Sequence, residues 1–176
     1  MNVIFSDQAI ATQKADALGF VVEKDFKFSD GMKAVADAYF PTLKEYLEQE
    51  KFIGEAGSML TIPVAVGKHT RLLVFAGIGG PKKDPVDFVE SYRRAVGSLI
   101  KLIQSKKLNS VALAVPPATL FNVSPEYLAE QTTLIAHVAE YAFDDYFSKE
   151  ELKKHKKIEL ILTSTAADKE SCEAGI

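Results

Sequence analysis

Short runs of apolar residues alternate along this chain with longer segments of helical period, and this alternation constrains the fold more than any other feature. Two of the runs, Leu72 to Phe75 and Val111 to Val115, are apolar at every position. Such runs are typical of strands that are buried on both faces of a sheet, and these strands need helices on both sides. The pattern therefore predicts a three-layer α/β domain with a mixed, mostly parallel sheet, and it argues against a sandwich.

About six segments have the length and composition of strands. They are Val3–Phe5, Ala17–Glu23, Met59–Val66, Arg71–Ala76, Ser110–Val115 and Ile158–Thr163. No Gly/Ser-rich or Pro-rich linker and no internal repeat divides the chain, so we expect one main domain.

The predicted helices differ in how clearly the sequence marks them. Pro85 to Ser105 has apolar residues at three- and four-residue steps, with Asp84 as a capping residue and proline at the first helical position. A second helix is predicted from Ser124 to about Phe147, and a shorter one from Pro41 to Phe52. Residues 26–40 contain Asp30-Gly31, a predicted turn, and then a helical stretch whose place in the fold the pattern does not give.

The end of the chain carries two further signals. Lys153 to Lys157 is a basic run, which is typical of a solvated turn leading into the last strand. Ala166 to Ile176 has the pattern of the first turns of another helix, with Asp168 as the cap and Glu170 in the first turn. Because the chain ends inside this helical pattern, on apolar Ile176, we expect it to be a piece of a longer protein, with a natural frayed terminus as the alternative.

Composition excludes several classes of function. A net charge of -3, with acidic and basic residues interleaved, gives no basic stripe for nucleic acid, and this includes a regulatory contact with DNA. The single cysteine, Cys172, excludes a disulfide framework within the chain. No apolar run approaches the ~20 residues that cross a bilayer, and the start lacks a signal-peptide pattern. We therefore expect a soluble, cytoplasmic protein without a membrane partner.

The segment Gly77-Ile78-Gly79-Gly80 is the most suggestive local motif, because it follows a buried strand and leads towards a helix. Backbone N–H groups of Gly77, Gly79 and Gly80 could cradle a phosphate near the helix end. However, the helix begins only at Pro85, so the spacing matches neither the dinucleotide nor the P-loop pattern. The spacing favours a tight strand-to-helix turn and leaves the phosphate loop as the alternative.

The sequence identifies no catalytic or metal-binding residue. His69, His137 and His155 fall in a turn, a helix and a basic linker, without a partner that marks a triad. Cys172 lies in the tail, where an inert or linker role is favoured over that of a nucleophile.

One helix face offers a candidate metal site. His137, Glu140 and Asp144 share one side of the second long helix, at three- and four-residue steps. One helix face rarely completes a coordination shell, so a solvated face is favoured over a metal site.

Three motifs resemble one protein family. Arg71 to Gly79 (RLLVFAGIG) resembles the stretch of the cytosol (leucyl) aminopeptidases in which an arginine opens a hydrophobic strand that ends in Gly-Leu-Gly, with Ile78 in place of leucine. Tyr92 to Gly97 (YRRAVG) is similar to the Arg-x-Ala-x-Gly segment of the family's next helix. Leu128 to Glu130, followed by Glu140 to Tyr146 (EYAFDDY), resembles the helix that ends in Tyr-x-Phe-Asp-x-Tyr.

These motifs occur in the family's order and belong to its N-terminal domain. The resemblance covers about Met59 to Ile176, whereas the part up to Phe52 agrees only in its order of strands and helices. It implies a macro-domain-like architecture over residues 1–165, with residues 166–176 starting a linker helix to an absent C-terminal catalytic domain. It also implies a partner in that catalytic domain, which would hold two divalent ions, zinc or manganese, and a homo-hexameric parent enzyme that removes N-terminal residues from peptides.

Two hypotheses about function follow. In the first, the chain is a non-catalytic domain that contributes to assembly and active-site access in a metallo-aminopeptidase, and it has no cofactor of its own. In the second, it is a macro-type module that binds a nucleotide such as ADP-ribose through the segment from Gly77 to Gly80.

Overall fold

The computed structural model describes residues 1–141, 157–164 and 169–176. Six strands form a single sheet, in agreement with the six predicted segments. The strands are β1 (Asn2–Ser6), β2 (Ala17–Glu23), β3 (Met59–Val66), β4 (His69–Gly79), β5 (Ser110–Ala114) and β6 (Glu159–Thr163). The described helices of α type are α1 (Asp30–Tyr39), α2 (Leu43–Gln49), α3 (Pro85–Ser105), α4 (Pro125–Glu140) and α5 (Lys169–Ala174), and two 3-10 turns lie at Ile10–Thr12 and Ala118–Phe121.

The strand order in the sheet is β1-β6-β5-β2-β4-β3. All neighbouring strands are parallel except β3, which pairs antiparallel with β4 through a hairpin at one edge. β2 lies at the centre and pairs with both β4 and β5. The predicted mixed, mostly parallel sheet is therefore confirmed.

One face of the sheet is covered by the two long helices. α3 begins and ends where the sequence predicts, with the Asp84 side chain accepting a hydrogen bond from the Val86 N–H at 2.9 Å. α4 begins after Ser124, whose hydroxyl accepts from the Tyr127 N–H, and it ends at Glu140. The rest of that predicted helix, to Phe147, lies outside the described residues, as do residues 153–156 of the basic run. Buried residues of α3 and α4 pack against β2, β4, β5 and β6 in one continuous core.

The other face is covered by the first 3-10 turn, α1 and α2. Here the predicted turn at Asp30-Gly31 is wrong, because both residues belong to the first turn of α1. The Ser29 hydroxyl caps this helix by accepting from the Met32 N–H at 3.2 Å. Burial of Met32 and Val35 against the sheet, together with the cap, outweighs the preference of Asp-Gly for turns.

Strand β4 also differs from its predicted bounds. The sequence predicts a strand from Arg71 to Ala76, but the strand extends from His69 to Gly79. The segment from Gly54 to Ser58 supplies hydrogen-bond partners for the backbone beyond Ala76. The glycines therefore continue the strand, since their backbone groups find partners there.

Candidate functional site

The carboxyl ends of β2, β4 and β5 meet at one edge of the sheet. The chain leaves β2 towards α1 on one face, whereas it leaves β4 and β5 towards α3 and α4 on the other face. In open α/β sheets such a change in the direction of the connections creates the crevice in which ligands bind. This edge is therefore the candidate functional site.

Residues 53–58, which we name the edge segment, enter this crevice. The Gly79 N–H donates to the Gly54 carbonyl oxygen at 2.9 Å, and the Gly77 N–H donates to the Ser58 carbonyl oxygen at 2.9 Å. On the other side, the Asp25 N–H donates to the Ile53 carbonyl oxygen at 2.8 Å. The edge segment thus joins the ends of β2 and β4, and it engages the amides of two of the three glycines in the candidate phosphate loop.

The glycines at the end of β4 have a packing role that the sequence did not reveal. A Cβ atom at Gly77 would lie 2.2 Å from the Glu55 carbonyl oxygen and 2.4 Å from the Ser58 hydroxyl oxygen. Gly79 has a φ of 78°, which side chains rarely adopt. Gly77 therefore needs to be glycine because the edge segment approaches closely, and Gly79 because of its backbone conformation, whether or not a ligand binds.

The N-terminus of α3 already carries negative charge. The Asp84 carboxylate accepts from the Val86 N–H, and Asp87 lies in the first turn. Carboxylates at this end of a helix interact favourably with its dipole and use the N–H groups that a phosphate would need. The helix end is therefore better suited to its own cap than to a bound anion.

The candidate catalytic residues lie in separate places. His69 begins β4, directly after the hairpin turn at Gly67 and Lys68, and it is exposed. His137 is exposed on α4, where its Nδ1 lies 2.9 Å from the Thr133 carbonyl oxygen. His155 lies outside the described residues.

The candidate metal face is partly engaged in structural contacts. The Glu140 carboxylate pairs with the Met1 ammonium group and accepts from the Ile158 N–H at 2.7 Å. Asp144 lies outside the described residues. Among residues 1–141, 157–164 and 169–176, no group of three His, Cys, Asp or Glu side chains is arranged to hold a metal ion.

Cys172 lies on α5, which packs against α4 and β1, and the residue is buried. Nearby, the buried Tyr92 hydroxyl lies 2.7 Å from the Thr132 Oγ1, and Thr132 in turn donates to the Leu128 carbonyl oxygen at 2.6 Å. Burial raises the pKa of Tyr92 above its ordinary value; the hydrogen bond with Thr132 partly opposes this shift, and Cys172 adds to it. This arrangement joins α3, α4 and α5 in the interior.

The arginine that opens the motif RLLVFAGIG has a structural role. The Arg71 Nη1 donates to the Tyr39 hydroxyl oxygen at 2.8 Å, and the guanidinium carbon lies 5.0 Å from the centre of the Tyr39 ring. The Tyr39 hydroxyl donates to the Ala11 carbonyl oxygen. Arg71 therefore connects β4 with α1 and the first 3-10 turn. Over the described part of the chain, no helix is long and apolar enough to span a bilayer.

Similar solved structures define the fold class. A mutant of tomato leucine aminopeptidase matches with a TM-score of 0.68 at 14% identity, over 99% of this chain and 35% of that chain. A Trypanosoma brucei macrodomain, solved in complex with ADP-ribose, matches with a TM-score of 0.66 at 13% identity, over 98% of this chain and 68% of that chain. The fold is thus the macro-domain-like α/β fold that the resemblance implied.

Sequence similarity defines the family. The profile of the cytosol aminopeptidase family, N-terminal domain, matches residues 17–150. The curated "Probable cytosol aminopeptidase" of Aquifex aeolicus is 31% identical over 119 residues, which are 68% of this chain and 23% of that protein. The chain therefore belongs to the cytosol aminopeptidase family and corresponds to its N-terminal domain. It spans between 23% and 31% of the length of the curated relatives that it matches.

Proposed function

We propose that this chain is the non-catalytic N-terminal domain of a two-metal leucyl aminopeptidase, an enzyme that removes N-terminal residues from peptides. In this proposal the domain contributes to assembly and to active-site access, and the catalytic residues lie in a C-terminal domain. The observation that carries it is the match of residues 17–150 to the N-terminal domain of the family. The curated relatives are much longer than the chain, which leaves ample length for a catalytic domain.

The same proposal divides the chain into a domain of residues 1–165 and a linker helix that begins within residues 166–176. The packing of α5 supports a fixed start for this linker. A Cβ atom at Gly175 would lie 2.3 Å from the Glu126 carbonyl oxygen and 2.9 Å from the Glu130 nitrogen, so α5 lies closely against α4. The polypeptide chain would therefore leave the N-terminal domain beside α4 and continue into the catalytic domain.

The parent enzyme would be a cytoplasmic homo-hexamer that holds two divalent ions, zinc or manganese, in its C-terminal domain. When bound there, such ions activate a water molecule for attack on the peptide bond. We assign no ligand of these ions to the described residues of this chain, and its contribution to catalysis would be indirect.

The outer face of α4 supports a role in assembly. Leu134 and Val138 are 47% and 59% exposed, and Tyr127 and Tyr141 lie on the same side of the helix. An exposed stripe of large apolar residues on one helix face is typical of an interaction surface. We propose that this stripe contacts another part of the aminopeptidase assembly.

The activity of the chain tests the proposal most simply. The purified chain should not cleave a leucyl chromogenic substrate when manganese or zinc is added, whereas a chain extended by its downstream coding sequence should cleave it. Leucine release by the 176-residue chain itself would refute the proposal.

The role in assembly is tested in the extended chain. V138E places a carboxylate on the outer face of α4, whereas V86E places one at an exposed apolar position of α3. V138E should shift the oligomer to smaller species in analytical ultracentrifugation, and V86E should not. Equal behaviour of the two variants would contradict a role of this face in assembly.

The second candidate function is binding of a nucleotide such as ADP-ribose. The likeness to a macrodomain that was solved with ADP-ribose favours it, although this likeness concerns the fold alone. Against it stand the amides of Gly77 and Gly79, which already donate to the Ser58 and Gly54 carbonyl oxygens of the edge segment. A saturable rise of the melting temperature with ADP-ribose would support this candidate, and its absence at millimolar concentration would eliminate it.

A further inference from the structure

A cavity of about 400 Å³ opens between α2 and the loop that follows β2. Its size falls within the range of about 300 to 1,000 Å³ that is usual for sites of small molecules. It lies on the face of the sheet covered by α1 and α2, beside the edge segment. No sequence motif marks it, and the proposed function does not use it.

The floor of the cavity is apolar and is attached to the core. The floor is formed by Phe26, Phe28, Leu47, Phe52 and Ile53. The Phe52 ring meets the Phe26 and Phe75 rings edge-on, with centroids 6.1 Å and 6.2 Å apart. The Phe75 ring in turn stacks on Phe20 in the sheet, with centroids 5.2 Å apart. A floor supported in this way keeps its shape and offers an apolar side chain a preformed surface.

The rim carries two cations and two anions, Asp25, Lys44, Glu48 and Lys51. Lys44 and Glu48 are exposed and 4.0 Å apart, so they offset one another. Asp25 and Lys51 form no ion pair with any residue in the described part of the chain.

The backbone on both sides of the rim is fixed. The Asp25 N–H donates to the Ile53 carbonyl oxygen at 2.8 Å, and the Lys51 N–H donates to the Glu48 carbonyl oxygen at 3.0 Å. Both residues have left-handed backbone conformations, with φ values of 55° and 53°. The two charges therefore extend from rigid positions on the same rim.

We propose that this cavity binds a small zwitterion with an apolar side chain, the class to which free apolar amino acids and dipeptides belong. The apolar side chain would cover the phenylalanine floor, the ammonium group would pair with Asp25, and the carboxylate would pair with Lys51. A polyanion is disfavoured because carboxylates balance the lysines of the rim. A neutral hydrocarbon would cover the floor but would gain nothing from the Asp25 and Lys51 charges.

Two variants remove the rim charges without straining the fold. K51G replaces a left-handed lysine with the residue that prefers this conformation, and D25N keeps a side chain that tolerates it. K107G is the matched control, because Lys107 has a φ of 56° at the end of α3 and does not line the cavity. Circular dichroism would verify that all three variants are folded.

Isothermal titration calorimetry on the 176-residue chain would use L-phenylalanine as the probe. N-acetyl-L-phenylalanine lacks the ammonium group, L-phenylalaninamide lacks the carboxylate, and glycine lacks the apolar side chain. We expect saturable binding of L-phenylalanine and about fivefold weaker binding of the acetylated and amidated probes, on the order of the 1 kcal/mol that a partly exposed charge pair contributes. Glycine should also bind at least fivefold more weakly, because it leaves the apolar floor uncovered. K51G and D25N should lose affinity for L-phenylalanine by a similar factor, and K107G should not.

Several results would overturn this proposal. They are the absence of saturable binding of L-phenylalanine, equal binding of the acetylated or amidated probes, and unchanged affinity in both K51G and D25N. Chemical-shift changes of backbone amides that avoid Phe26, Phe28 and Phe52 in a titration followed by NMR would also contradict it. None of these measurements depends on aminopeptidase activity. The proposal of a zwitterion site can therefore fail while the proposed function holds, and the proposed function can fail while the zwitterion site holds.

Discussion

The two faces of the sheet are covered in different ways. On one face, the long helices α3 and α4 bury a continuous set of side chains against four strands. The other face is covered by two shorter helices, of 10 and 7 residues, and by a single 3-10 turn. The cavity beside α2 lies on this second face. Long amphipathic helices can thus close a sheet face, whereas short helices that meet at Pro41 leave space near their ends.

The largest expected difference between the faces concerns two buried leucines. Leu99 of α3 is fully buried, and its Cδ1 would lie 2.9 Å from a Cβ atom at Gly19 of β2, so it fills the space above the central strand. Leu47 of α2 is also buried but lines the cavity. We expect L99A to cost about 4 kcal/mol and L47A about 2 kcal/mol of unfolding free energy, measured by urea denaturation. Equal costs would contradict the difference in packing.

The second prediction concerns two glycines at the carboxyl end of β4, where the connections to the two faces of the sheet diverge. G77A would force a Cβ atom against the backbone of Glu55 and should cost about 3 kcal/mol. G80A is the control, because a Cβ atom there meets no atom within 4 Å, and its effect should remain within about 0.5 kcal/mol. Similar melting temperatures for the two variants would show that the edge segment does not approach β4 as described.

The third comparison uses one tyrosine on each face. Y92F removes a buried hydroxyl that bonds to Thr132, and Y39F removes a half-buried one that bonds to Arg71 and Ala11. We expect costs of about 1.5 kcal/mol and about 1 kcal/mol at neutral pH.

The two tyrosine variants should also differ in alkali. Because burial raises the pKa of Tyr92 above its ordinary value of 10, the folded state favours the protonated form. The stability that this residue contributes is present below pH 10 and is lost as the pH rises further towards the raised pKa. Y92F should remove this alkaline loss, whereas Y39F should retain it, and pH-dependent urea melts would distinguish them. An unchanged alkaline loss in Y92F would contradict the burial of its hydroxyl.

The smallest expected effect concerns the ends of α2 and α3, which are built alike. In each helix the last turn is closed by a lysine in a left-handed conformation, with hydrogen bonds from Lys51 to Glu48 and from Lys107 to Gln104. K51G and K107G should each stabilise the chain by about 0.5 kcal/mol, because glycine adopts this conformation without strain. Destabilisation by either variant, measured by thermal denaturation, would mean that the lysine side chain makes a contact that outweighs the strain.

The elements predicted best from the sequence are those with clear capping residues or a regular pattern of apolar residues. α3 was predicted with its observed bounds because Asp84, Pro85 and an uninterrupted apolar stripe all indicate the same helix. All six strands were predicted because they are apolar and short, and the family was recognised from motifs on β4, α3 and α4. α1 was less clear, since Asp30-Gly31 is a turn signal locally and only burial against the sheet makes it helical.

The candidate site was harder to predict, because it depends on contacts between distant segments. The sequence shows glycines at positions 77 and 79, but it does not show that the edge segment approaches them. The cavity likewise brings together the loop after β2, α2 and the edge segment, and none of these carries a recognisable motif. Asp25 and Lys51 appear as ordinary charged residues until the fold places them on one rim.

In the proposed function, this chain is a scaffold and the chemistry of the family resides in another domain. The most direct test is to measure zinc and manganese by mass spectrometry in the purified 176-residue chain, after incubation with both ions and gel filtration. We expect far less than one ion per chain. One or two ions retained per chain, and lost on substitution of acidic or histidine side chains within it, would contradict the claim.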